Sequence, residues 1–474
     1  MRKFKSLLFA LIFNNVVHGL ITTPISAGID RPTSISASRF KPLKSSLGHL
    51  IVPDSPNTQT DRLHVHFGAG RLGIGLIIPA IEAGDASYVV VQRSNKSWEE
   101  ATSDGILEFQ VNNEPVASGL VLLKTMEDIV SFLIVKGERK KAIALIDDLE
   151  ILKVLCVRAT SFSTSLGPAI STVFPLLHNL PVRPIGKRPF FYACENNHEA
   201  ARAVGTLLEE KIKMRCCMVD RICTGRNISK GFVNVAAESP FKGSLVVLKI
   251  SDEDSIVPFE GDNVFQPRSA LESHYFYDRK VSLVNGMHTC LAFMTLREKG
   301  QTWGDHELVT YETVSDKLKE ELRAWAAIRC LMLLEEHGVN VLKAAHKVET
   351  EDEVIDGLLD YSWECLNRFS SITDTTARVL GGGAGNRWAT RMWPVSTFAQ
   401  LKASKDSHLD QNSAGGKLMK RAGVKPEFAA KCCSELMEEG IRYCENDMKD
   451  TAQKLVDFYK NDESKSEGKN SAPA

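Results

Sequence analysis

One glycine spacing constrains this chain more than any other feature. Gly68-x-Gly70-x-x-Gly73 follows a short apolar strand, His64–Phe67, and opens an apolar helix running to about Ala83. Glycine at the first position allows a tight turn, at the second a close approach of backbone to a bound anion, and at the third close helix–strand packing. The helix N-terminus then offers free N–H donors and a positive dipole end. Alone the triplet is a weak signal, but a strand before it and a helix after it are the context that marks a dinucleotide pyrophosphate site. Gly68, Gly70, Arg71, Leu72 and Gly73 are therefore the candidate cradle.

The surrounding pattern agrees. Tyr88–Val91, Ala142–Ile146 and Phe190–Ala193 read as buried strands, with helical stretches over 123–137 and 197–214. Strands alternating with helices predict an α/β Rossmann-type domain with a parallel sheet. Phe232–Ala236 and Leu245–Ile250 add β structure, expected to be antiparallel. Beyond about residue 270 the periodic stretches 316–337, 352–366 and 426–459 predict an all-helical C-terminal domain, interrupted by a flexible turn at Leu380–Gly385. A chain of 474 residues has room for both. The expected division is a targeting segment over 1–60, a dinucleotide-binding domain over 61–270, a helical substrate domain over 271–460 and a disordered tail over 461–474.

The first sixty residues set themselves apart. Met1-Arg-Lys-Phe-Lys5 is basic, Leu7–Phe13 is a short apolar run, and the stretch that follows is rich in Ser, Thr and Pro. That order predicts a signal peptide followed by a transit-like segment, as in the two-part addresses of complex plastids; secretion and a cytoplasmic location are the alternatives. A formal net charge of -1 gives no field to attract nucleic acid or anionic lipid. The eleven cysteines show no C-x-x-C spacing, and no H-E-x-x-H occurs, so neither a disulfide framework nor a metal is implied.

Two segments carry candidate chemistry. The second strand ends Gln92-Arg93-Ser94-Asn95-Lys96, where dinucleotide enzymes place an acid on the ribose 2′-hydroxyl. Gln92 can donate to a ribose, and Arg93 and Lys96 suit a 2′-phosphate, so the cofactor is NAD or NADP with a lean to NADP. Further on, Lys280, Asn285 and His288 interrupt an apolar stretch. On an ideal helix Asn285 and His288 fall about 140° and about 80° from Lys280, within one broad face. Polar groups on an apolar helix need partners or a task.

Lys280-x4-Asn285-x2-His288 resembles the signature of the polyol-specific long-chain dehydrogenases, the mannitol dehydrogenase family. His66-Phe-Gly-Ala-Gly-Arg-Leu-Gly73, Ser163-Thr-Ser-Leu-Gly-Pro168, Cys194-Glu-Asn196, Val219-Asp-Arg-Ile222 and Asp374-Thr-Thr-Ala-Arg-Val379 are similar to further segments in the same order, closest to the mannitol-phosphate branch. The resemblance covers roughly residues 63–400. It implies hydride transfer between a polyol and a ketose, mannitol 1-phosphate and fructose 6-phosphate first, with no metal. It implies Lys280 as general base, Asn196 and Asn285 as donors to the reacting oxygen, and His288 as a donor to it or to a neighbouring hydroxyl. Ser163, Thr164 and Ser165 would lie beside the nicotinamide, and Asp220, Arg378 and Arg387 would hold substrate. Two departures stand out: Gln92 replaces the strand-end acid, and Asn386-Arg387 stands where the family has a lysine. Alternative readings are an unphosphorylated mannitol or hexuronate substrate, and a non-catalytic dinucleotide sensor, which would need none of Lys280, Asn285 and His288. Oligomeric state and reaction direction are not legible.

Overall fold

Strand β1 (Leu63–Phe67), five consecutive buried residues, sits in the middle of a twelve-stranded sheet. The computed structural model describes residues 62–444 apart from 135–137, 197, 240, 249–256, 300–304, 382, 405–408 and 441. The targeting segment and the tail expected over 461–474 lie outside the described residues, as does 445–459 of the last expected helix. The strands after β1 are β2 (Ser87–Val91), β3 (Ile106–Val111), β4 (Glu114–Leu123), β5 (Lys141–Ala144), β6 (Ser161–Thr164), β7 (Phe190–Ala193), β8 (Lys213–Asp220), β9 (Cys223–Ser229), β10 (Phe232–Ala237), β11 (Ser244–Val247) and β12 (Val264–Phe265). Their spatial order is β12-β11-β8-β7-β6-β1-β2-β5-β4-β3-β10-β9.

From β8 across to β4 every neighbouring pair is parallel. Tyr88 and Val90 face one core, Val89 and Val91 the other, so both sheet faces are covered and the strands read as unbroken apolar runs. The chain leaves β1 for β2 on one side and later pairs β6 on the other. That reversal opens a crevice at the carboxyl ends of β1 and β6, where Gly68 and Ser165 lie. The Rossmann-type expectation holds.

Several strands escaped the sequence pattern. β3 and β4 form a hairpin through Asn112 and Asn113, both with positive φ (53° and 68°), a turn chemistry that suits asparagine. Within the stretch expected to be helical over 197–214, the helix His198–Leu207 gives way to β8 at Lys213. β11 is antiparallel to β8, as expected, but β10 is antiparallel only to β9 and runs parallel to β3.

Helix α1 (Ile78–Ala83) continues the glycine turn. From Ser269, whose hydroxyl caps α2 (Ala270–Arg279), the chain is helical in character. It continues through α3 (Gly286–Lys299), α4 (Asp316–His346, kinked at Gly338), α5 (Glu351–Arg368, opened by a Thr350–Glu353 capping box), α6 (Thr376–Leu380), α7 (Ala384–Arg387), α8 (Trp393–Ala403) and α9 (Ala414–Ala422). A further helix spans 426–440. Residues Gly286 to Leu296 of α3 are all buried, as befits a helix apolar on every side. Among the described residues, sheet and helical layer fall in one compact unit, with the change of architecture near residue 270. Among the described residues no helix is long and apolar enough to cross a membrane.

Three π turns occur among the described residues: Gly73–Ile77, Lys280–Asn285 and Trp388–Met392. Such widened turns cost helix regularity and concentrate at functional sites.

Candidate active site

The glycine turn is built as its spacing requires. Gly68 has φ 110°, a conformation closed to most side chains. A Cβ on Gly73 would lie 2.3 Å from Gly68 O and 2.6 Å from Ser165 Oγ, so only glycine lets the helix meet the strand end. A Cβ on Gly70 would meet nothing closer than Ser165 O at 3.8 Å, and would fill the open space over the turn. Close packing behind Gly73 and open space at Gly70 fit a dinucleotide pyrophosphate lying across the turn.

What holds the turn was not read from the sequence. His66 Nε2 lies 3.0 Å from Gly68 O, and Ser165 Oγ donates to the same oxygen at 2.9 Å. Ser163 Oγ bridges His64 Nε2 and His66 Nδ1, each at 2.7 Å. Burial pushes His66 down to about 4, so this ladder is uncharged near neutrality. Glu195 accepts from Leu166 N and Gly167 N at 2.7 Å each, tying the loop after β7 to the loop after β6. For Ser163 and Thr164 the expected contact with a nicotinamide is corrected here. Both are fully buried, and Ser163, on the histidine ladder, and Ser165, on Gly68 O, brace the cradle.

At the end of β2, Gln92 Oε1 accepts from Ala69 N at 3.0 Å, and one N–H of its amide donates to Arg93 O at 3.4 Å, leaving the other. Arg93 is exposed, with no carboxylate partner among the described residues. Arg71 reaches sideways to Thr224 O at 2.8 Å, and Leu72 packs into the core beneath. Arg226 on β9, unseen in the sequence, donates to Ala69 O at 3.0 Å.

Lys280 is the most chemically distinctive group. Only 7% exposed, its Nζ donates to Asn196 Oδ1 at 2.5 Å. Asn196 follows β7, so the amine sits at the carboxyl edge of the sheet that also carries the glycine turn. Burial lowers Lys280 to about 8; Asp220 opposes that shift, while Arg391 and Arg368 reinforce it. The π turn changes the expected angular arrangement. Gly286 N donates to Val281 O, five residues back, so the widened turn brings Asn285 closer in angle to Lys280 than the about 140° of an ideal helix. Asn285 is half-buried, and its carbonyl accepts from Thr289 Oγ1 at 2.8 Å and Arg391 Nη1 at 3.4 Å.

His288 stacks on Phe369 at 4.3 Å, and its Nε2 faces Asp374 Oδ2 at 3.0 Å. Burial lowers its pKa against the pull of Asp374, which favours the neutral ring with Nε2 protonated. With Nε2 facing Asp374, Nδ1 is the ring nitrogen left for a substrate hydroxyl. Burial would raise Asp374, but hydrogen bonds from Arg378 and His288 hold it well below the usual carboxylate range. Arg378 commits both arms of its fork to Asp374. Arg387 donates to Gly381 O at 3.2 Å and is half-buried. Arg391, one turn further along, was missed by the sequence reading; burial and the neighbouring Arg387 and Arg329 lower it to about 10. Among the described residues neither Arg387 nor Arg391 has a carboxylate partner.

Asp220 stands behind this site instead of lining it. It is 2% exposed and accepts Arg368 Nη1 and Nη2 at 3.1 and 3.2 Å, while Arg368 also binds Glu238 at 2.8 and 2.9 Å. Its expected contact with substrate is therefore corrected: its oxygens serve the clamp between the sheet and α5, and its charge acts on Lys280 through space. Asp278, Glu336 and His337 gather three groups able to bind a cation within 4.8 Å of one another.

No family model and no curated protein matches this chain. Among solved structures, a ketopantoate reductase from Ralstonia eutropha JMP134 aligns with 80% of this chain and 99% of its own at 12% identity and TM-score 0.34. A 2-dehydropantoate 2-reductase from Geobacter metallireducens GS-15 aligns over 80% and 99% at 12% identity and TM-score 0.39. Octopine dehydrogenase in complex with NADH and agmatine aligns over 80% and 89% at 11% identity and TM-score 0.39. At these scores the likenesses carry no activity or substrate to this chain.

Proposed function

We propose that this chain is an NAD(P)-dependent oxidoreductase that moves a hydride between a nicotinamide and a polyol or ketose carbon, with Lys280 as the proton-holding group. The observation that carries the reading is a buried amine with a pKa near 8, at the sheet edge shared with the glycine turn. A nicotinamide, when bound, supplies or accepts the hydride. Gly68, Gly70 and Gly73 would hold its pyrophosphate.

Alcohol oxidation requires a base as the hydride leaves. With a pKa of about 8, about a tenth of Lys280 is neutral at pH 7, against about one part in three thousand for an ordinary lysine. In ketone reduction the same amine returns the proton. Asn196 accepts from Nζ and so fixes the direction of the amine, leaving its own N–H2 to donate towards the reacting oxygen. Asn285 supplies a second amide on the same turn. His288, held by Asp374 and Phe369, accepts from a neighbouring hydroxyl.

The substrate end is cationic. Arg387 and Arg391 repel one another without a neutralising acid, a cost that a bound anion would offset. This favours a phosphorylated substrate, fructose 6-phosphate and mannitol 1-phosphate being the pair the sequence resemblance implies. The test is oxidation of NADPH and NADH by the chain lacking its first sixty residues, with fructose 6-phosphate, fructose and fructuronate in parallel. Turnover only with the phosphate ester is the expected result. A preference for free fructose refutes the phosphate assignment, and absence of turnover with all three refutes the polyol assignment.

A further inference from the structure

The corner where β2 meets the glycine turn carries more positive charge than a pyrophosphate contact needs. Arg226 reaches over from β9 and donates to Ala69 O at 3.0 Å, inside the Gly68–Gly73 turn. Its guanidinium lies 5.8 Å from the ring centre of Trp98, the buried residue one turn into the helix Lys96–Ala101. Arg226 therefore spans the two segments that bracket Gln92-Arg93-Ser94-Asn95. Arg71 stands beside it, near enough that burial and this second cation together lower Arg226. Glu99 is occupied by the Ser94 hydroxyl at 2.8 Å, and among the described residues no carboxylate pairs with Arg71, Arg93 or Arg226. Like charges held together without an acid are unfavourable unless an anion joins them.

The residue at the strand end gives the second half of the argument. An acid there would accept from a ribose 2′-hydroxyl and repel a 2′-phosphate. Gln92 is neutral, and its only side-chain acceptor oxygen is already taken by Ala69 N at 3.0 Å. With the amide nitrogen also donating to Arg93 O at 3.4 Å, what remains at this position is a single N–H donor, and Arg93 follows it directly.

Resting on the dinucleotide reading above, we propose that Arg93 and Arg226 form a 2′-phosphate pocket that selects NADP(H) over NAD(H). Arg93 supplies an exposed fork from the strand end. Arg226 would supply the second fork, with Trp98 and Ala69 O fixing its plane. Each guanidinium donates charge-assisted hydrogen bonds that a bare 2′-hydroxyl cannot repay.

Calorimetric titration of the full chain with NADPH and with NADH, without substrate, tests this apart from turnover. NADPH is expected to bind at least about tenfold more tightly. Arg93→Ala should weaken NADPH by about tenfold or more while changing NADH by less than about twofold, and Arg226→Ala, which also frees Ala69 O in the turn, should weaken NADPH at least about tenfold more than it weakens NADH. Melting temperatures of the two variants report whether the fold is kept, and adenosine 2′,5′-bisphosphate against 5′-AMP repeats the comparison on the adenosine half alone. Equal affinity for the two cofactors, or equal loss of both in the variants, overturns the pocket and assigns the arginines to the pyrophosphate. Failure of either cofactor to bind the unmodified chain overturns the dinucleotide reading itself.

Discussion

Replacing Lys280 with methionine should make the protein more stable and nearly inactive at once. The amine is 7% exposed and its pKa falls from 10.5 to about 8, chiefly through burial. A shift of that size corresponds to about 3 kcal/mol that the folded state loses by keeping the amine protonated. Because the folded pKa lies below the unfolded one, the unfolded chain binds more protons between about pH 8 and 10.5, and stability rises with pH through that window. Below about pH 8 the full penalty is present. Methionine has a similar volume and no charge, and loses only the hydrogen bond to Asn196, worth about 1 kcal/mol. Lys280→Met should therefore gain about 2 kcal/mol at pH 7, and the gain should disappear at about pH 10. Turnover should fall by about 10²- to 10⁴-fold, the usual contribution of a positioned acid or base. Urea unfolding at both pH values, with kcat against pH for the parent and variant, reads every part. A variant no more stable than its parent at pH 7, with an unchanged pH profile for its residual turnover, would refute the buried-base argument.

Other substitutions separate the cradle from its supports. Gly70→Ala should keep the parental melting temperature but lose NADPH binding, because its Cβ fills open space over the turn; Gly73→Ala, meeting Gly68 O at 2.3 Å, should cost about 1–3 kcal/mol in urea unfolding. Arg368→Met leaves Asp220 and Glu238 buried without their cation and should cost about 3–5 kcal/mol, seen in the same assay. Asp374 is held below its unfolded value, so it stabilises the protein above the ordinary carboxylate range, and this contribution is lost as pH falls through its folded pKa. Asp374→Asn should therefore flatten the acid limb of a plot of stability against pH, measured by thermal melting from about pH 5 down to about pH 2.

The parts legible in the sequence were those that depend on near neighbours. Gly68, Gly70 and Gly73 announce a turn because backbone freedom is local, and Val89 and Val91 announce a strand because its period is two residues. Lys280 stood out as a cation in an apolar helix. Its angular relation to Asn285 did not, because the π turn depends on how the helix packs rather than on ideal geometry. Short strands such as β6 and the hairpin of β3 and β4 were missed for the same reason: pairing across long separations leaves little mark on a short window.

The sequence by itself determined the crevice's floor and the identity of its buried amine, since steric demand and hydrophobic period are written within a few residues. Tertiary structure alone decided what charge each group carries. Asp374 beside His288, Asp220 beneath Arg368, and Arg226 over the glycine turn come from distant parts of the chain. Burial and through-space fields, which have no expression along the backbone, set the proton affinity of Lys280.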